Sequence, residues 1–148
     1  MKILVQKEDF DLDAEVRELR KNSSVGAVVT FLGTVRDLND GKDVSGMTLE
    51  YYPGMTEKAL TKIAKQALER WDIEDVTVIH RVGELRVTDQ IVLVGISGKH
   101  RGEAFDACEF VIDYLKTEAP FWKKETLPEG ERWVEARDSD ETAKERWN

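Results

Sequence analysis

The stretch Asp113 to Glu125, DYLKTEAPFWKKE, constrains this chain more than any other. It carries helix-compatible residues as far as Ala119 and then meets Pro120. Proline has no amide hydrogen and its ring clashes with the preceding turn, so the spacing predicts a helix ending near Glu118 or Ala119. Lys116 then falls in the last helical turn. The segment after Pro120 reads as extended, and side chains of an extended segment alternate faces. Phe121, Lys123 and Glu125 therefore share one face, and Trp122, Lys124 and Thr126 the other. A helix-end lysine and a strand lysine beside bulky aromatics suit the walls of an anion pocket. They suit a solvated lysine pair next to two core aromatics as well, and this stretch alone leaves both readings open.

Composition narrows the setting. The 148 residues fit one domain with a real core, spanning 1–148. Charged residues make up 35% and the formal net charge is −8, which argues against general nucleic-acid binding. A basic cluster in such an acidic chain points to a specific anionic ligand. The single cysteine excludes an intrachain disulfide and a cysteine metal cage, and the two histidines lack HxxxH spacing, so neither metal nor cofactor is expected. No apolar run approaches the ~20 residues that span a bilayer. The N-terminus MKILVQKEDF has too short an apolar core for a signal peptide, so no membrane association and a cytoplasmic location are expected.

The remaining segments read in order as follows. Lys2 to Gln6 is a short strand, and Asp11 to Lys21 a helix with Asp11 or Asp13 as cap. Gly26 to Arg36, GAVVTFLGTVR, is β-branched and apolar enough for a buried strand, with Gly33 marking a bulge or a close backbone approach. Arg36 leaves that strand into a polar loop, 37–46, expected to be mobile. Met47 to Tyr52 is a strand, Met55 to Trp71 a scaffold helix. Asp75 to Val82 and Gln90 to Ser97 are strands, the first carrying His80 as a structural or interface histidine. Ser97-Gly98-Lys99-His100-Arg101-Gly102 closes a strand and opens a helix, a place where unpaired amides and the dipole favour an anion. That helix buries a stripe of Ala104, Phe105, Cys108, Val111, Ile112 and Leu115. Leu127-Pro128-Glu129-Gly130 then turns the chain into a returning strand, Arg132 to Ala136. The end, 138–148, is a polar tail expected to be mobile or partner-bound. Helices and strands mix without a strict alternation, which gives an α+β fold with a mixed, largely antiparallel sheet and packed helices.

The chemical candidates are Arg36, His100, Arg101, Lys116 and Lys123, with Lys124 and Arg137 as outliers. This set is rich in cations and poor in carboxylate bases. It suits a phosphorylated substrate and lysines that move protons or stabilise developing negative charge.

Together GAVVTFLGTVRD, LEYYPGMTEKAL, VTVIHRVGEL, GKHRGEAFDA, DYLKTEAPFWKKE and RWVEARDSD resemble the large, catalytic subunit of molybdopterin synthase over nearly the whole chain. The resemblance implies an α/β hammerhead-type fold and a homodimer of large subunits. It implies a partner as well: a small ubiquitin-like sulfur-carrier subunit whose C-terminal Gly-Gly bears a thiocarboxylate. The implied reaction adds two sulfurs to cyclic pyranopterin monophosphate, forming the dithiolene of molybdopterin. The family's two essential lysines fall on Lys116 and Lys123. Its substrate contacts fall on Thr34-Val35-Arg36, on His100-Arg101 and on Lys123-Lys124-Glu125. Thr34 is a departure, since some members carry lysine there. Tyr51, where some have histidine, is another. Arg137 would complete a neighbouring subunit's pocket. Against this stand two other readings, a phosphate- or nucleotide-binding module without chemistry and a non-catalytic scaffold subunit.

Overall fold

A computed structural model describes residues 1–39, 41–134 and 138–148. Along the chain run β1 (Lys2–Gln6), α1 (Leu12–Leu19), β2 (Ala27–Thr34), β3 (Leu38–Asn39), β4 (Lys42–Asp43), β5 (Gly46–Tyr51) and α2 (Met55–Arg70). They are followed by β6 (Ile73–Arg81), β7 (Gly83–Arg86), β8 (Gln90–Gly98), α3 (Arg101–Glu118), β9 (Phe121–Leu127), β10 (Gly130–Val134) and α4 (Asp138–Glu145). One sheet has the order β1-β6-β8-β2, with β1 parallel to β6 and the other pairs antiparallel. A second, wholly antiparallel sheet has the order β10-β9-β5-β7. The α+β class and largely antiparallel pairing expected from the sequence are both present.

Alternation along β8 explains the layering. Val92, Val94 and Ile96 turn towards Leu60, Ile63 and Ala67 of α2 and Ala104, Ala107, Phe110 and Val111 of α3, forming the main core. Each large side chain buried there stabilises the fold by about 1.5–3 kcal/mol. The intervening Gly95 meets α1 on the other face, where a Cβ would stand 2.6 Å from Leu19 Cδ1. A second core of Val35, Met47, Leu49, Val82 and Leu85 joins the sheets, and Val5, Ile91 and Phe121 pack against both cores. Helix starts follow local chemistry. Asp11 accepts from the Ala14 amide at 3.2 Å, and Glu57 reaches back to the Gly54 amide at 3.0 Å.

Several expectations need correction. The β2 strand lies at a sheet edge rather than buried, because β8 is its one neighbour among the described residues, and Phe31 and Leu32 are more than a third exposed. Segment 37–46, read as a loop, contains the β3–β4 ribbon. It is pinned where buried Asn39 donates to both carboxylate oxygens of Glu125, at 3.0 and 2.9 Å. The polar tail holds α4, and Trp147 packs edge-on against Trp71 and Phe110 while its ring N–H donates to Asp113 at 2.7 Å. Phe105 sits on the exposed side of α3, and Phe110 takes the buried position instead. Between the two expected strands Asp75 to Val82 and Gln90 to Ser97 stands a further short strand, β7. Arg137 and the end of the expected strand to Ala136 lie outside the described residues.

Candidate active site

The site grows out of the Pro120 junction. α3 ends at Glu118, Ala119 turns extended, and β9 starts at Phe121. Thr56, fully buried at the start of α2, holds this junction: its hydroxyl donates to the Pro120 carbonyl at 2.8 Å and accepts from the Tyr52 amide at 3.0 Å. The scaffold helix thereby fixes the angle between the two lysine-bearing elements. β9 then pairs with β5 so that Phe121 opposes Tyr51, Lys123 opposes Leu49 and Glu125 opposes Met47.

Between the two sheets and the end of α3 lies a cleft of about 550 Å³. Phe31, Gly33, Ile91 and Val92 form its wall from the first sheet, and Met47, Leu49 and Phe121 its wall from the second. Lys116 reaches it from the last turn of α3 and Lys123 from β9. Thr34 and Arg36 enter from the exit of β2. The bulge expected at Gly33 is present as a register shift between Gly33 and Thr34. A Cβ at Gly33 would stand 2.8 Å from Val92 Cγ1, so the close approach is real as well. Three basic side chains thus face one cleft, and Asp140 is its one carboxylate among the described residues.

Four of the sequence-derived candidates therefore converge: Thr34, Arg36, Lys116 and Lys123. Val35 does not join them. Its side chain is 2% exposed in the second core, and its amide donates to the Asp89 carbonyl at 3.0 Å, which orients its neighbours outward. Lys124 is on the opposite face of β9, paired with Glu131 at 3.1 Å and over the Trp133 ring. Glu125 shares the face of Lys123 but is buried beyond the cleft, held by Asn39 and by Arg132 at 3.0 and 3.1 Å. His100 and Arg101 open α3 as expected, yet fifteen residues of helix separate Arg101 from Lys116, about 22 Å at 1.5 Å per residue. They do not line this chain's cleft.

The sequence reading missed His80 as a cleft residue. Period-two alternation aligns it with buried Val76 and Val78, which is a signal of inward placement, but nothing local announces its neighbour. Its ring stacks on Phe121 with centroids 3.8 Å apart and planes 18° from parallel. Burial pushes its pKa down to about 4, the Arg81 carbonyl opposes this, and the charge of Lys116 lowers it further. Cys108 behaves as its stripe implied. It is buried outside the cleft, and burial, aided by the charge of Glu109, pushes the thiol up to about 12.

Comparison with known proteins decides the family. Residues 5–118 match the MoaE protein family. The molybdopterin synthase catalytic subunit of Ralstonia nicotianae is 62% identical over 146 residues, covering 98% of this chain and 83% of that protein. The chain belongs to the MoaE family of molybdopterin synthase catalytic subunits. The solved molybdopterin biosynthesis MoaE protein from Burkholderia ambifaria has the same fold, with a TM-score of 0.84 and 58% identity over 100% of this chain and 99% of that one. A chain from the Helicobacter pylori complex of subunits 1 and 2 of molybdopterin-converting factor shares the fold at 20% identity, with a TM-score of 0.72 over 92% of this chain and 90% of that one. The MoaE match ends at Glu118, so it includes Lys116, while the near-complete overlap with the relatives extends past Lys123.

Proposed function

We propose that the cleft carries out the synthase reaction of this family. Sulfur passes there from the thiocarboxylated C-terminus of a small ubiquitin-like carrier to cyclic pyranopterin monophosphate, producing the dithiolene of molybdopterin. The observation that supports this most is the convergence of Lys116, Lys123 and Arg36 on one cleft in a chain of net charge −8. A thiocarboxylate and a phosphate monoester are both anions, and fixed cations in a partly dry cleft attract and stabilise them far better than water does. The carrier's extended Gly-Gly end is narrow enough to enter between the sheets. Lys116 and Lys123 then handle the acyl and proton steps. Sulfur arrives on the partner, so the inert thiol of Cys108 is no obstacle. The solved complex of two converting-factor subunits from Helicobacter pylori supports a small-subunit partner.

His100 and Arg101 join the site through a second copy of the chain. On one copy they stand a helix length from Lys116, so only a homodimer brings them to a cleft, where they hold the substrate phosphate. The open edge of β2 with Phe31 and Leu32, and Phe105 on α3, offer apolar surface for that pairing. The complex works in the cytoplasm; no helix among the described residues is long and apolar enough to cross a membrane.

Reconstitution tests the reading. Purified chain, thiocarboxylated carrier and pterin monophosphate should yield dithiolene product. Ligand binding without turnover would favour a phosphate-binding module, and carrier binding alone would favour a scaffold.

A further inference from the structure

His80 sits one residue before the end of β6 and is 5% exposed, and it lines the cleft. Most of its ring is already committed. Phe121 covers one face at 3.8 Å, and Nδ1 lies 2.8 Å from the Arg81 carbonyl oxygen. A carbonyl can only accept, so Nδ1 carries the proton and donates. The Arg81 end of the strand is itself anchored, since the Arg81 guanidinium donates to the Lys7 and Gln90 carbonyls at 3.1 Å each. That leaves Nε2, a bare acceptor, on the ring edge that remains for the cleft.

The neighbours decide what such an acceptor is for. Lys116 approaches from α3, Lys123 from β9, Arg36 from the exit of β2 and Asp140 from α4. Lysine has three donors, no acceptor and a flexible four-carbon stem, so an exposed lysine at a helix end has no intrinsic aim. Lys116 is also the charged group whose field reaches the His80 ring. Burial keeps the ring neutral, so it accepts a proton donor without adding another positive charge to the cleft. We propose that His80 is a positioning residue for Lys116, its Nε2 accepting a hydrogen bond from the lysine head and aiming that head into the cleft. The idea rests on the reading of Lys116 as a group that acts on substrate.

Three substitutions separate this role from packing. His80→Phe keeps the stack on Phe121 and loses both ring nitrogens. His80→Asn keeps a polar group near Nδ1 and loses the cleft acceptor. His80→Gln places an amide oxygen near Nε2. In the reconstituted assay His80→Phe and His80→Asn should lower kcat by at least about 30-fold with little change in KM, the cost of a misplaced catalytic group, while His80→Gln recovers most of the rate. Wild-type rates in folded His80→Phe or His80→Asn, or a His80→Gln as slow as His80→Phe, would overturn the proposal. A second measurement needs no turnover and so stands apart from the synthase reading. In nitrogen-15 spectra of the chain at pH 7, His80 should show a protonated Nδ1 and a bare Nε2, and Lys116→Met should shift the Nε2 resonance. A proton on Nε2, or identical His80 signals in wild type and Lys116→Met, would sink it. Failure of the wild-type assay with the expected spectra would instead count against the functional reading alone.

Discussion

Lys123 and Lys124 are adjacent on β9 and chemically identical, yet they live in different environments. Lys123 lies across from Leu49 and faces the cleft. Lys124 lies between Thr48 and Trp133 in register, with its ammonium 5.2 Å from the Trp133 ring centroid and 3.1 Å from Glu131. The strand's period of two separates them completely. Sharing a face is still not enough. Glu125 is on the side of Lys123, but two residues further along, the β3–β4 ribbon has closed over it, and it serves as the centre of a buried network with Asn39 and Arg132. A run of three polar residues thus splits into a cleft cation, a surface cation and a buried structural carboxylate.

The comparison breaks first at the cleft lysines. Lys116→Ala and Lys123→Ala should each cut sulfur transfer by about 10²–10⁴-fold, the range for loss of a positioned acid–base group, without changing the melting curve much. Full turnover by either purified variant removes that lysine from the mechanism. Glu125→Ala should act in the opposite sense, on stability rather than on chemistry. Removing one member of a buried charge pair costs about 3–5 kcal/mol, and the part-exposed Arg132 can recover some hydration, so a loss of about 3 kcal/mol is expected in denaturant titration. An unchanged midpoint with lost pterin binding would return Glu125 to the substrate site.

These contrasts mark how far the sequence was legible. The α3–Pro120–β9 junction could be read because its causes are local: a proline, a helical stripe and a strand alternation lie within one short stretch. The separation of Lys123 from Lys124 followed from the same alternation, but which of the two faces turns inward did not. What could not be read depends on residues distant in the chain. Asn39 meets Glu125, and His80 meets Phe121, only after the sheets pair. The tail looked polar because its aromatic anchor, Trp147, stands in a charged run, and its site between Trp71 and Phe110 is assembled from two separate elements. Phe105 was assigned to the core on spacing, but the stripe of α3 is rotated so that Phe110 is buried and Phe105 is not.

Arg101 tests whether the comparison extends beyond one copy of the chain. If the start of α3 reaches a neighbouring cleft, Arg101→Ala should weaken pterin phosphate binding by roughly 10- to 150-fold, the equivalent of one charge-assisted hydrogen bond of about 1.5–3 kcal/mol. Calorimetry would report it. An unaltered binding constant would mean that the cleft of one chain binds the phosphate without that end of the helix.

The smallest effect belongs to Lys124, and it is the sharpest test of the two-face argument. Its interactions are a pairing with Glu131, which is 55% exposed, and a cation–π contact with Trp133 on the outer face of β10. An exposed ion pair contributes about 0–1 kcal/mol and an exposed cation–π contact about 0.5–1 kcal/mol, so little stability is at stake. The nearest route from its ammonium to the cleft passes through the strand itself. Lys124→Ala should therefore stay within about threefold of wild-type kcat/KM, less than 1 kcal/mol in transition-state stabilisation. Lys123→Ala, one position away, should be nearly dead under the same conditions. Equal losses in the two variants would mean that β9 does not present its lysines as the alternation requires, or that the outer face is itself part of the working site.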